Sequence, residues 1–382
     1  MKALIRILIV SVIGLILLGA LLVLSASGTY SAEKFNNFYF LFQSHLWKVF
    51  AAFAVLIVFS LIPYEFYKKY SKHLLFGIVA ILFLTVLFAP KVKGAARWID
   101  IGMFRFQPSE MAKILLIMHL AYMIERKGDI IKNFKSGLLF FLFWVFVVAG
   151  LVFAQPNVST SIIIVLTAFT VLYVGGAKFT HLTGTAITVG IIAGGAMLML
   201  PHSRARIMSF IDGVSNGGGI NIQVTQAKIA LGSGGWLGLG IGHSRQSDLF
   251  LPESYGDFIF SVLGEELGFV GAVVVLFVFL LVFVIGVIIA MKSKDKFGQM
   301  LAFGLSINLI YGAFINAAVV MGLGPTTGIT LPFISFGGTS IILYAMSVGI
   351  ILNIGFTYLK SKLPVRVEPE IELEYEAVEN HI

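Results

Sequence analysis

Ten stretches of this chain are apolar over the length of a bilayer: about 4–27, 46–63, 73–89, 109–124, 137–154, 158–175, 182–201, 258–291, 298–321 and 337–358. A helix needs about 20 apolar residues to cross the hydrocarbon core. In lipid, backbone polar groups must be satisfied internally, and none of these runs alternates with period two. They are therefore expected to be helices and not barrel strands. The expected fold is an all-α integral membrane protein of about ten transmembrane helices, with a large loop between spans seven and eight. Only 12% of residues are charged, half the share of about 25% in soluble domains. A soluble enzyme, a disordered chain and a nucleic-acid-binding domain are excluded on that ground, despite a net charge of +8. The chain has no cysteine, which removes disulfides, Cys-zinc sites and thiol nucleophiles. The first run has the basic flank of a secretory signal (Lys2, Arg6), and Ser25-Ala26-Ser27 resembles a cleavage site. Its apolar core, 7–24, is longer than the roughly 7–15 residues of a signal, so it reads as an uncleaved span.

Basic residues collect on the cytoplasmic side of membrane proteins. With the N-terminus inside, 16 of the 27 Lys and Arg fall in inner loops and 11 outside, and ten spans return the C-terminus to the cytoplasm. Four of the outward residues, Lys91, Lys93, Arg97 and Arg105, sit in one short loop against that trend. The polar information gathers on the outer face, in 90–109, 202–257 and 322–337. Residues 1–360 are expected to form one membrane domain, and 361–382 a disordered cytoplasmic tail whose last fifteen residues carry six Glu and no basic residue.

Four constellations could carry chemistry. In the first, Lys93 and Arg97 precede Gln107-Pro108-Ser109-Glu110, and Glu110 and Lys113 share a helical face at i,i+3. Arg97 and Lys93 suit phosphate or pyrophosphate, with snorkelling to lipid phosphate as the alternative, and the Glu–Lys pair can simply pin the helix. The second is the glycine-rich 232–242, which fits either a packed loop or close backbone approach to a bulky ligand. It matches no nucleotide-binding pattern. In the third, Asp257 lies where the outer loop meets span eight. There it can be a general base, or Ser254 and Asp257 can form a capping-box-like pair. Glu265 and Glu266 lie deeper, and at least one is expected to face protein or a cavity. The fourth is 322–340, rich in Gly, Pro and Thr, with Ser335 near its end. Broken backbone at membrane depth must lie against protein or a cavity. The seven histidines form no metal-ligand spacing.

Together these stretches resemble the SEDS family of FtsW/RodA-type membrane proteins over about 4–360. The motifs are Gly94-Ala-Ala-Arg-Trp98, Gln107-Pro-Ser-Glu110 with Lys113, Leu251-Pro-Glu253 with Asp257-Phe-Ile-Phe260, and Leu331-Pro-Phe-Ile-Ser-Phe-Gly-Gly338. Gly264-Glu-Glu-Leu-Gly268 and Pro325-Thr-Thr-Gly328 look more like the division branch than the elongation branch. Gly256, Asn157 and Phe336 stand where the family usually has Thr, often has Asp, and has Tyr.

The resemblance implies a peptidoglycan glycosyltransferase of the bacterial cytoplasmic membrane. It would polymerise lipid II (undecaprenyl-pyrophosphate disaccharide-pentapeptide) into β-1,4 glycan on the outer face, in division or elongation. It further implies a class B penicillin-binding protein transpeptidase and other divisome or elongasome proteins as partners, and no nucleic acid. Asp257 maps onto the family's essential acidic residue. Lys93, Arg97, Gln107, Ser109, Glu110, Lys113 and Ser335 are the expected substrate-binding residues. No nucleotide is needed, and a divalent cation (Mg or Mn) is the one cofactor that could share the charge neutralisation. A lipid-linked-sugar flippase and a division scaffold are the competing functions.

Overall fold

The computed structural model describes residues 1–89, 97–101, 104–215 and 221–362. Lys93 and the tail beyond 362 lie outside them. The helices are α1 (Lys2–Phe35), α2 (Phe40–Leu61), α3 (Tyr64–Phe88), α4 (Pro108–Lys127), α5 (Leu139–Ala154), α6 (Val158–Val174) and α7 (Phe179–Met199). They continue with α8 (Pro201–Ser215), α9 (Ile222–Ser233), α10 (Arg245–Leu249), α11 (Ile259–Lys292), α12 (Lys296–Val320) and α13 (Ser340–Lys360). Two short antiparallel strands, β1 (Ile99–Ile101) and β2 (Phe104–Phe106), form a hairpin ahead of α4.

Eight of the described helical segments are long and apolar enough to cross a membrane. α6 is apolar but shorter, and α4 reaches span length while carrying Glu110, Lys113, Glu125, Arg126 and Lys127. Ten membrane-scale helices thus stand where the ten apolar stretches predict them. α4 tolerates its charge because it is interior: it packs on α3, α5, α6 and α12. Without a hydrophobic drive between helices in lipid, close packing holds such a bundle. α7 is the exception to the packing, with Leu182 its one buried residue among those described.

α11 explains how the large loop is fastened. At Gly268 the backbone turns to φ 70°, ψ −173°, a region open essentially to glycine alone. In an unbroken helix the Phe269 and Val270 N–H groups would bond the Glu265 and Glu266 carbonyls. Instead they donate to Gly235 O (2.9 Å) and Trp236 O (3.1 Å). The two freed carbonyls accept from Leu239 N and Gly240 N, each at 3.0 Å. The glycine-rich segment is therefore threaded into a helix break, and its close backbone approach is to α11. A Cβ at position 268 would lie 2.6 Å from Trp236 O and closer still to Gly238 N. Gly268→Ala is expected to cost roughly 3 kcal/mol from the combined strain and overlap. Thermal unfolding in detergent checks this, and an unchanged midpoint would refute it.

The carboxylates beside the break complete the fastening. Glu265 and Glu266 are both 1% exposed and face protein. Glu265 accepts from Ser244 Oγ (2.5 Å), Ser233 Oγ (3.2 Å) and Arg245 N (3.2 Å). Glu266 accepts from Gly242 N (3.1 Å) and from Ser25 Oγ of α1.

Candidate functional site

Residues of 205–209, 221–223, 253–258 and 326–329, with Asn316 and Val319 of α12, wall a cleft of about 450 Å³. Its lining includes Arg206, Glu253, Asp257, Asn316, Thr327 and Gly328. Two of these walls hold bulky or charged residues in the left-handed region. Glu253 has φ 60° beside the Asp257 turn, and Phe333 has φ 64° in the facing loop. Such residues persist in that region only when their surroundings fix them.

Asp257 is the last loop residue but one before α11. The Ser254 hydroxyl donates to Ala26 O of α1 (3.2 Å), and the N-cap Phe258 has no side-chain cap. Ser254 is thus not the N-cap of α11. The wall is fixed from α12 by Asn316. Its Nδ2 donates to Asp257 O (2.8 Å) and to Ile329 O (2.7 Å), so both amide hydrogens tie two cleft walls together. Across the cleft, a Cβ on Gly328 would meet Asp257 Oδ2 at 3.4 Å. The glycine brings the facing loop to the edge of the carboxylate.

Arg97 is held on the α5–α6 turn. Its guanidinium donates to Pro156 O and to Gln155 O (3.4 Å). Burial and the nearby Arg206 push its pKa down, and the Asp257 carboxylate opposes that shift. The two arginines and Asp257 therefore share one electrostatic neighbourhood. Arg206 itself donates to Thr326 O (3.1 Å). The Tyr255 phenol is pushed up by burial and by Tyr30, whose ring lies 5.4 Å away.

The other predicted residues lie behind the cleft in its supporting layer. Ser109 Oγ accepts from Gln107 Nε2 (3.1 Å) and Asn157 Nδ2 (3.2 Å), which joins the start of α4 to the α5–α6 turn. Lys113 and Glu110 form a 2.9 Å ion pair, and the Lys113 side chain is 3% exposed. Lys113 Nζ also sits 5.7 Å from the Tyr344 ring centre. Ser335 Oγ accepts from Leu331 N (2.7 Å) and closes the turn of the 331–338 motif. The hairpin joins that motif through Gly338, where a Cβ would approach Trp98 to 2.6 Å and Arg105 O to 2.8 Å. Among the described residues, no group of three or more His, Asp or Glu is placed to hold a metal ion.

Sequence reasoning missed Arg206, Asn316 and Lys48. Arg206 is on α8, in a stretch read as loop. Asn316 interrupts the ninth apolar run, and a lone amide inside a span was the available signal. Lys48 of α2 lies 3.9 Å from the Phe336 ring centre, and Phe336 N donates to Tyr255 O (2.8 Å).

The family model described as "Cell cycle protein" (FtsW, RodA and SpoVE) matches residues 5–358. "Probable peptidoglycan glycosyltransferase FtsW" of Geobacter sp. (strain M18) is 38% identical over 345 residues, covering 88% of this chain and 92% of that protein. "Stage V sporulation protein E" of Bacillus subtilis (strain 168) is 34% identical over 351 residues, covering 89% and 93%. Two solved structures share the fold. One is described as "Structural coordination of polymerization and crosslinking by a peptidoglycan synthase complex", with TM-score 0.75, 22% identity, and 92% and 97% of the two chains covered. The other is the rod shape determining protein RodA of Thermus thermophilus, with TM-score 0.69, 21% identity, and 92% and 96% covered.

Proposed function

The chain belongs to the FtsW/RodA/SpoVE family of cell cycle proteins, and on that premise we propose that it is an inverting peptidoglycan glycosyltransferase that polymerises lipid II. The resemblance to its FtsW-named relatives favours the division branch. The observation that carries the proposal is Asp257 on the wall of a cleft that also holds Arg206, with Arg97 in electrostatic reach.

The chemistry fits this set. A glycosidase needs two carboxylates because its leaving group must be protonated. Here the donor's anomeric carbon carries a pyrophosphate, which leaves as a stabilised anion, so one base and nearby cations suffice. Asp257 takes the proton of the acceptor sugar's C4 hydroxyl. That oxygen attacks the anomeric carbon from the face opposite the pyrophosphate. The C–O bond to the pyrophosphate breaks and a β-1,4 link forms. Arg97, Arg206 and Lys93 offset the charge on the departing pyrophosphate. Gln107, Ser109, Glu110, Lys113 and Ser335 hold the substrate-facing segments in register. A divalent ion such as Mg or Mn fits as an addition. Glu253 and Asp257 share the cleft, and magnesium is commonly held by one or two carboxylates and substrate phosphates. It would supply further charge neutralisation at the pyrophosphate.

We place the cleft on the outer face of the cytoplasmic membrane, with both termini in the cytoplasm, beside a class B penicillin-binding protein that crosslinks the product. The test is glycan synthesis from purified lipid II by the reconstituted protein, with and without a cognate transpeptidase. Glycan chains support the proposal. No chains, together with movement of a lipid-linked sugar across the vesicle, would replace it with a flippase.

A further inference from the structure

Lys48 lies inside α2, about 12 Å of helix rise from the Phe40 end. A charge at that depth in a span is costly and is kept for a role against protein or a cavity. Lys48 is 8% exposed. Among the described residues no carboxylate pairs with it, and the charged side chain that acts on it is another cation, Arg105 of the hairpin. What meets the ammonium is the Phe336 ring, whose centre is 3.9 Å from Nζ. His45, one turn earlier on the same face of α2, is fully buried and flanks that ring at 5.8 Å. Neither of its ring nitrogens has a hydrogen-bond partner among the described residues, so the imidazole serves as a packing wall. α2 thus presents Phe336 with a cation on its face and a wall beside it.

Phe336 is in turn a clamp on the segment that carries Asp257. Its backbone N–H donates to Tyr255 O (2.8 Å), and its ring meets the Tyr255 ring edge-on at 5.6 Å. Gly256 N donates to Glu253 O (2.9 Å), which closes a turn leading into Asp257. That turn is fixed through two main-chain carbonyls, at Tyr255 by Phe336 and at Asp257 by Asn316. Asn316 sits on a regular helix, α12. Phe336 sits in the loop between α12 and α13, so the placement of its ring depends on what packs against it.

We propose that Lys48 is a positioning residue for glycosyl transfer: its ammonium seats the Phe336 ring, and through Phe336 it fixes Tyr255 and the aim of the Asp257 carboxylate. The inference rests on the glycosyltransferase reading above, with Asp257 as the base. A cation is attracted to the face of an aromatic ring, more strongly where both are withdrawn from water. The aim of a base matters steeply, since a displacement of about 1 Å costs about 100-fold in rate. Loss of the cation loosens one of two clamps, so the expected effect is smaller than that and falls on kcat. Lys48 acts through Phe336 and makes no contact with substrate in this role, so KM stays where it is.

The test uses full-length protein in nanodiscs supplied with lipid II: wild type, Lys48→Met, Lys48→Arg, Phe336→Leu, and Lys48→Met combined with Phe336→Leu. Met keeps the length of the lysine stem and removes the charge. Lys48→Met is expected to lower kcat about tenfold with KM within about twofold of wild type. Lys48→Arg should restore most of the lost rate, because a guanidinium also stacks on aromatic faces. The double variant should be no slower than Phe336→Leu alone, since without the ring the cation has nothing to act through. Backbone hydrogen exchange in 331–338 and 253–258 should be about tenfold faster in Lys48→Met and unchanged in Lys48→Arg. A raised KM at constant kcat, or losses that multiply in the double variant, would make Lys48 a substrate contact and overturn the positioning role. Unchanged exchange in both segments of Lys48→Met overturns it as well, and so does a thermal midpoint that falls in step with kcat in both Lys48 variants; each leaves the enzyme reading intact. If wild type makes no glycan, the enzyme reading falls and the inference falls with it, whatever the exchange shows.

Discussion

Asp257→Asn is expected to lower glycan synthesis by reconstituted protein roughly 10³-fold, within the range that a general base contributes. The amide keeps the shape of the carboxylate but cannot take a proton from the acceptor hydroxyl. Folding should survive, because Asn316 holds residue 257 through its backbone carbonyl and not through its side chain. The variant should therefore unfold at the wild-type temperature while making chains at that much lower rate. Rates within tenfold of wild type would leave the polymerase standing and remove Asp257 as its base. An unfolded variant would mean that the side chain is structural, which the Asn316 clamp argues against.

Glu110→Ala should be the most destabilising single change in the first motif. Lys113 is 3% exposed and lies 2.9 Å from Glu110. Deleting the carboxylate leaves an ammonium inside the bundle with the neutral Tyr344 side chain, through its hydroxyl and ring, as a weaker partner. Breaking a buried pair in this way costs about 3–5 kcal/mol. Replacing both members with apolar residues of similar volume removes the orphan charge. Glu110→Leu with Lys113→Met should therefore recover most of the loss, as such replacements do for other buried pairs. Unfolding midpoints of Glu110→Ala and the double variant, measured against wild type in one detergent, decide the matter. A double variant as unstable as Glu110→Ala would show that the damage comes from packing and not from charge.

Much of this architecture could be read before any coordinates. The ten apolar runs set the ten long helices, because lipid imposes one solution on each of them; seven agree within three residues at each end, whereas α1 ends eight residues later and α2 and α3 start six and nine residues earlier than the runs. The Gln107-Pro108-Ser109 start of α4 was legible for a related reason, since Pro108 favours the first turn and Glu110 suits the helix N-terminus. The region 202–257 was not legible. α8 and α10 lack a long apolar periodicity, and only the amphipathic stretch that became α9 left a signal. The break at Gly268 is invisible to hydropathy because the freed carbonyls are satisfied by residues 26 positions earlier in the chain. Asp257 could be found from its place at a loop–span junction. Asn316 could not be assigned a role, since that role depends on carbonyls contributed by two separate loops.

The break in α11 also bears on how the bilayer acts on the site. Below Gly268 the helix runs for 24 residues, about 36 Å, and must tilt to fit a hydrocarbon core of about 30 Å. In a continuous helix that tilt would swing the N-terminal end, and Asp257 with it, by leverage. Here residues on both sides of the break are bonded to the glycine-rich segment, which resists that swing. Bilayer thickness is thereby expected to be mechanically uncoupled from the geometry of the cleft. Polymerisation rates measured across lipids of graded chain length should accordingly stay nearly level, and a sharp optimum at one thickness would contradict the uncoupling.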